Sequence, residues 1–350
     1  MKVITNHHPR SVLLGAQAAQ LGLPVCDHYC GVMPRMIKSL ALQRTLMQEF
    51  GTCVFDVTLD CEDGAPVGEE IAHAEAIAAL LLDQQPAHNG ARVGVRLHSL
   101  DSGLESHPRR THFEDDARII LTQASAQIAY VMVPKIESVS DVDKACKVID
   151  EAIAVSDGGN VFQRRAMPLH VLIESPAAVH QVHAIAAHPR VQSMSFGLMD
   201  FISSHGGAIP DSAMNVDGQF SHPLVVRAKL EIASACHAAG KVPSHCVMTE
   251  FKDIAALRLA AQRANRELGF TRMWSIHPDQ IRPIIDAFSP STDDVAHAGR
   301  VITAALAAQW APVSVDDQLH DRASYRFYWQ LLERAHTTGV AVPESLQHFF

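Results

Sequence analysis

No apolar run in the 350 residues approaches the roughly 20 needed to cross a bilayer. The stretch from Met1 to Arg10 also lacks the apolar core of a secretion signal. Basic charge is short as well: 29 Lys and Arg stand against 38 Asp and Glu, a formal net charge of -9. Nucleic acid and anionic membranes select a basic face, so neither is an expected partner, and the expected location is the cytoplasm. The seven cysteines form no dense framework but are scattered through apolar segments such as Thr52-Cys53-Val54 and Ala235-Cys236-His237, which reads as reduced thiols. Cys26-Asp27-His28-Tyr29-Cys30 puts two sulfurs and an imidazole on one strand face. A zinc site would need a fourth ligand and usually a second close pair.

A chain that is 47% hydrophobic and 19% charged can bury a large core. Short β-branched runs alternate with segments of helical period, the pattern of repeated βα units and a parallel sheet. The runs are Leu23 to Tyr29, Cys53 to Cys61, Arg92 to Leu97, Ile128 to Pro134, Leu169 to Ile173, Val191 to Phe196, Lys241 to Val247 and Phe270 to Ile276. Eight such strands predict a closed (β/α)8 TIM barrel over residues 1–290, with an open doubly wound sheet as the runner-up. Ser175-Pro176 offers a helix cap, Thr249 another, and Gly240 and Gly269 stand where helices end. Residues 291–350 read as a C-terminal helical lid segment, with helical period over Thr292 to Gln309 and again over Tyr325 to His336. That segment could cap the barrel mouth, pack on a neighbouring subunit, or both. The polar stretch Asp101 to Thr111 reads as a loop.

A barrel of this kind works at the C-terminal ends of its strands. Polar residues finish nearly every run: His28, Asp60 with Glu62, Arg96 with His98, Lys135 with Glu137, Glu174, Asp200, His245 and His277. Any one of them could simply mark where a strand meets water. Together they have the composition of a site for a cation and an anionic substrate. Glu174 and Asp200 lie one βα unit apart, and two nearby carboxylates suit Mg²⁺, which keeps several waters and needs few protein ligands. Arg96 offers a fixed fork of donors to a carboxylate or an enolate oxygen. Asp60 and Glu62 should point to the same side by strand alternation. Lys135 could be a Schiff-base lysine, but no neighbour in sequence argues for a lowered pKa, which favours an electrostatic or structural role.

These motifs resemble the HpcH/HpaI aldolase and citrate lyase beta-subunit family, with its CitE-like members and malyl-CoA lyases. Leu59-Asp60-Cys61-Glu62-Asp63-Gly64 is similar to the family's L-D-L-E-D, Val95-Arg96-Leu97-His98 to V-R-x-N, and Pro134-Lys135-Ile136-Glu137 to P-K-x-E. Leu172-Ile173-Glu174-Ser175 resembles I-E-T/S, Phe196-Gly197-Leu198-Met199-Asp200-Phe201 the G-x-x-D-[LF] segment, and Ser275-Ile276-His277-Pro278-Asp279-Gln280-Ile281 the S/C-I-H-P-x-Q-I segment. The resemblance implies a barrel of the phosphoenolpyruvate/pyruvate type, Glu174 and Asp200 as Mg²⁺ ligands, and Arg96 and Glu174 at the substrate. It further implies a lid aspartate that reaches a neighbouring subunit's site. Leu319-His320-Asp321-Arg322-Ala323 is the nearest match, which makes Asp321 the candidate acid/base and the chain a homo-oligomer. His98 replaces the usual asparagine, His245 stands where an aspartate is common, and the lid segment lacks the expected proline and glycine.

The implied activity is a Mg²⁺-dependent carbon-carbon lyase acting on a hydroxy acid or its acyl thioester, with an oxo acid, CoA or an acyl carrier as small-molecule partner. One alternative is a metal-dependent pyruvate-type aldolase for free acids, in which a histidine-rich mouth replaces the lid aspartate as base. The other is a non-catalytic or carrier-dependent lyase subunit whose main task is assembly.

Overall fold

The computed structural model describes residues 8–15, 18, 22–64, 66–83, 90–102, 110–156 and 166–350. Eight parallel strands follow one another around a closed barrel: β1 (Cys26–Cys30), β2 (Phe55–Asp60), β3 (Val93–Arg96), β4 (Tyr130–Val133), β5 (Leu169–Ile173), β6 (Val191–Phe196), β7 (Val242–His245) and β8 (Arg272–Ser275). Each falls within or against one of the predicted runs. β8 pairs back onto β1, with Met273 beside Cys26 and Ser275 beside His28, and this closure selects the barrel over the open sheet.

The helices are α1 (Pro9–Leu14), α2 (Met33–Phe50), α3 (Glu70–Asp83), α4 (His112–Asp116), α5 (Val139–Ser156), α6 (Pro176–Ala187), α7 (Leu198–Ser203), α8 (Pro223–Ala239), α9 (Ile254–Arg266), α10 (Ile281–Phe288), α11 (Thr292–Ala307) and α12 (Arg322–Thr337). Ser175 caps α6 as expected, its Oγ accepting from the Ala178 N–H with Pro176 in the first turn. The cap of α9 is Asp253 rather than Thr249: the Asp253 carboxylate accepts from the Ala256 N–H, while the Thr249 hydroxyl donates to Glu250 in the preceding loop. Most of the Asp101 to Thr111 stretch, residues 103–109, lies outside the described residues.

Strand alternation divides the barrel into two cores. Outward residues such as Val57, Leu59, Val95, Val133, Val171 and Phe196 pack with the helices. The inward set is unusually polar. Arg272 of β8 lies 2.8 Å from both Asp27 and Asp56, Tyr130 donates to Asp27 at 3.2 Å, and His170 stacks on Tyr130 at 3.8 Å. Tyr130 needs the width that Gly94 provides, because a Cβ there would sit 2.2 Å from the phenol ring. Above this layer Met132, Leu172 and Trp274 complete the filling.

The segment after Pro290 forms α11, an antiparallel pair of short strands (Val313–Val315 and Gln318–His320) and α12. The sequence pattern did not mark that hairpin. Its turn is Asp316-Asp317, both with positive φ (50° and 60°), the geometry of a tight two-residue turn. Val301, Ile302, Trp329 and Leu332 give this segment a small core of its own. α10 runs back down the barrel wall, so α11 starts at the N-terminal end of the strands. α12 there faces Gly269 to Thr271 ahead of β8, and Gly339 packs on Phe50 at the end of α2. Within one chain, then, the segment lies at the barrel face opposite the mouth.

Candidate active site

The mouth is organised by Arg96, the last residue of β3, which is only 4% exposed. Its Nε donates to Asp60 Oδ1 at 2.5 Å, Nη1 lies 2.8 Å from Glu62 Oε2, and Nη2 donates to Asp63 Oδ2 at 2.7 Å and to the Tyr29 hydroxyl. The Tyr29 ring lies 4.5 Å from the guanidinium carbon and stacks in turn on Trp274. Asp60 also accepts from the N–H groups of Glu62 and Asp63, both at 3.1 Å, which folds the acidic loop back over the arginine. Asp60 and Glu62 therefore do converge on one side. Four of the five donors of the guanidinium are engaged, so its position and charge are fixed.

Glu62 spends its other oxygen on Lys135, at 2.8 Å from Nζ. Burial alone would lower the Lys135 pKa, but Glu62 and the fields of Asp200 and Glu174 outweigh it and hold the ammonium above its usual value. The backbone at Lys135 takes a positive φ of 54°, and its N–H donates to Glu174 Oε2 at 2.8 Å. Glu174 directly follows β5 and is 6% exposed. Burial pushes its carboxyl up to about 7; Asp200 and Glu62 add to that rise, and the Lys135 N–H opposes it. Asp200 stands exposed in the first turn of α7. Between them lies Gly197, where a Cβ would come within 2.4 Å of the Glu174 side chain.

Asp200 adds to the raised proton affinity of buried Glu174, and a cation held between the two carboxylates would oppose that rise. Among the described residues, Asp200 and the second oxygen of Glu174 have no hydrogen bond or ion pair to supply one. That donor set fits a hard divalent ion such as Mg²⁺, with water or substrate oxygens making up the octahedron.

The structure separates the remaining strand-end candidates by face. His28 and His245 point outward, not into the mouth. His28 bridges Ser275 (3.0 Å) and Ser39 (2.9 Å), and burial drops its pKa to about 4. His245 stacks on Phe220, and burial with the nearby Lys229 lowers its pKa too. The histidine-rich mouth of the aldolase alternative thus reduces to His98, whose Nδ1 lies 2.7 Å from buried Asp116. Burial opposes a proton on His98, but the Asp116 contact wins and raises its pKa. His277 caps a short 3-10 turn, and Gln280 ties that turn to Met248. Glu137 accepts from Ser175 at 2.6 Å and so steadies the loop after Glu174. Asp321 caps α12, accepting from Ala323 and Ser324 N–H groups, and none of its contacts reaches the mouth of its own chain. Tyr29 and Trp274 are the site residues that sequence reasoning missed. The signal was present in Asp27-x-Tyr29, where alternation puts Tyr29 on the inner face next to outward His28.

A closed (β/α)8 barrel with buried acidic and basic side chains gathered at its C-terminal strand ends is built as an enzyme. The chain belongs to the HpcH/HpaI aldolase/citrate lyase family, which it matches over residues 39–278, and it is a carbon-carbon lyase. It is 30% identical to an L-malyl-CoA/beta-methylmalyl-CoA lyase of Cereibacter sphaeroides over 269 residues, 72% of this chain and 77% of that one. A crystal structure of a citrate lyase from Burkholderia xenovorans LB400 is 46% identical, covers 99% of both chains and superposes with a TM-score of 0.78. The CitE protein of Mycobacterium tuberculosis, solved with magnesium, acetoacetate and coenzyme A, shares the fold at 22% identity, with a TM-score of 0.60 over 90% of this chain and 98% of that one. No helix among the described residues is long and apolar enough to cross a membrane.

Proposed function

We propose that the chain catalyses Mg²⁺-dependent cleavage, or the reverse condensation, of a carbon-carbon bond in a hydroxy acid or its acyl thioester. The observation that carries this is the carboxylate pair Glu174 and Asp200 beside a fixed Arg96. Glu174 and Asp200 would hold the ion, which would supply Lewis-acid polarisation of an oxo acid's oxygens. Arg96 binds the anionic end of the substrate: the Asp63 side chain on Nη2 is 70% exposed and is the one partner free to swing away from it. The same guanidinium stabilises the enolate that cleavage leaves, a contribution of a few kcal/mol, about 3. Residues 1–290 carry this machinery, and the 291–350 segment delivers Asp321 to the mouth of a neighbouring copy, where it moves the proton. The relative named as a malyl-CoA lyase supports a thioester, and the magnesium in the related CitE complex supports the ion.

The test is a titration of Mg²⁺ into metal-stripped protein with and without oxaloacetate, glyoxylate or pyruvate, followed by cleavage assays on candidate thioesters. Binding should tighten with the oxo acid. No binding by the wild type, or binding unchanged in Asp200→Asn, sinks the proposal. The His98–Asp116 contact favours one second reading, a free-acid aldolase with His98 as base. That reading requires His98→Asn to abolish turnover while Asp321→Asn leaves it intact.

A further inference from the structure

Beneath the barrel, between its N-terminal face and α12, lies a cleft of two joined compartments of about 600 and 310 Å³. His237, Thr271, Gln330 and Arg334 line both and so mark where they meet. The larger compartment has an apolar side made by Phe327, Tyr328 and Leu331 of α12 opposite Phe288 and Pro290. Phe327 is 60% exposed. The smaller one is cationic, with Arg10, Lys241 and Arg326 in its wall.

Among the described residues that line the cleft, Arg10, Lys241, Arg266, Arg326 and Arg334 stand against Asp294 and Glu333, more basic than acidic side chains in a chain whose net charge is -9. Glu333 is already taken by Arg10, and Asp294 by the Ser291 hydroxyl. Arg334, at the junction, has no hydrogen bond or ion pair from its guanidinium among the described residues, and burial pulls its pKa down. A half-buried guanidinium with no counter-charge among the described residues can receive an anion that enters the cleft.

We propose that this cleft is a second binding site, for a small organic anion whose ring-sized apolar body lies on Phe327 and Tyr328 and whose phosphate or carboxylate meets Arg334. It is separate from the catalytic mouth and does not depend on the function assigned there. The charge at the junction recognises either kind of anion, and the probes distinguish them.

The experiment is calorimetric titration of the full-length, Mg²⁺-loaded protein with AMP, benzoate and inorganic phosphate. AMP or benzoate should bind at one per chain, equally well with oxaloacetate present. Arg334→Gln should weaken that binding by at least about tenfold, the scale of one charge-assisted hydrogen bond. Phe327→Ala, at an exposed position that leaves the fold intact, should weaken the organic anions and not inorganic phosphate. Three results would overturn the proposal: no organic anion binds, inorganic phosphate alone binds, or affinity is unchanged in Arg334→Gln. It also fails if Phe327→Asp dissociates an oligomer in sedimentation, because the apolar side would then be covered by another copy.

Discussion

Lys135 bonds Glu174 through its backbone and gives its side chain to another carboxylate: its N–H donates to Glu174 Oε2 at 2.8 Å, while Nζ sits 2.8 Å from Glu62. Positive φ at Lys135 turns that N–H toward the carboxylate. The ammonium is held protonated, the wrong state for a nucleophile. Lys135→Met should therefore keep Mg²⁺ binding and lose less than about tenfold in kcat, the scale of a half-exposed ion pair. Borohydride with an oxo acid should trap no adduct on the wild type. A trapped adduct, or complete inactivity of Lys135→Met, would restore the Schiff-base role.

Arg96 pairs with Asp60, Glu62 and Asp63 at once. Replacing it by methionine leaves carboxylates crowded and unpaired, and breaking a buried pair of this kind costs about 3–5 kcal/mol. Urea denaturation of Arg96→Met should show that loss. Arg96→Lys should recover part of the stability but little activity, since one ammonium cannot reproduce the fork. Equal activity in Arg96→Lys would mean that charge alone is used.

Gly197→Ala tests the closeness of the strand ends after β5 and β6. The added methyl would strike Glu174 at 2.4 Å and displace it from the Lys135 N–H. Mg²⁺ affinity should fall at least about tenfold, the size of one lost carboxylate hydrogen bond, with melting temperature little changed. An unchanged Mg²⁺ isotherm would take Glu174 out of the metal site.

Much of the barrel was legible because outward strand residues are apolar and the helices between them have clear ends. The mouth was legible in type but not always in facing. His28 and Tyr29 are adjacent at the end of β1, and a shift of one residue decides which side of the barrel a side chain joins. Reading the terminal polar residue of each run picked His28, which serves the wall, over Tyr29, which touches Arg96. His245 misled in the same way, because Ser244 takes the inner position on β7. The hairpin at Asp316-Asp317 escaped because its strands are three residues each, too short for alternation to register.

Asp321 can be tested apart from its cap. Asparagine also accepts from helix N–H groups, so Asp321→Asn should keep the stability of α12, whereas Asp321→Ala should cost about 1 kcal/mol. If Asp321 moves a proton in a neighbour's mouth, both variants lose thioester cleavage alike. Activity that tracks stability instead would leave it only a cap.

His28 predicts the acid limb of stability. Folded, it is held near pKa 4, against about 6.5 when unfolded. Between those values the unfolded chain binds more protons, so stability rises with pH through this window. The contribution, up to about 3 kcal/mol, is full above about pH 6.5 and gone near 4. Urea midpoints measured from pH 4 to 7 should climb, and His28→Asn should flatten the climb. An identical slope in the variant would assign it to other groups.

The plug formed by Arg272, Tyr130 and His170 across the barrel interior makes the catalytic mouth a cup with a single door. Whatever enters over the rim must leave over it. When one molecule is split into two, the fragment nearer the floor cannot depart before the fragment nearer the rim, so the order of release is set by depth. The last product out should then compete directly with incoming substrate, while the first should not.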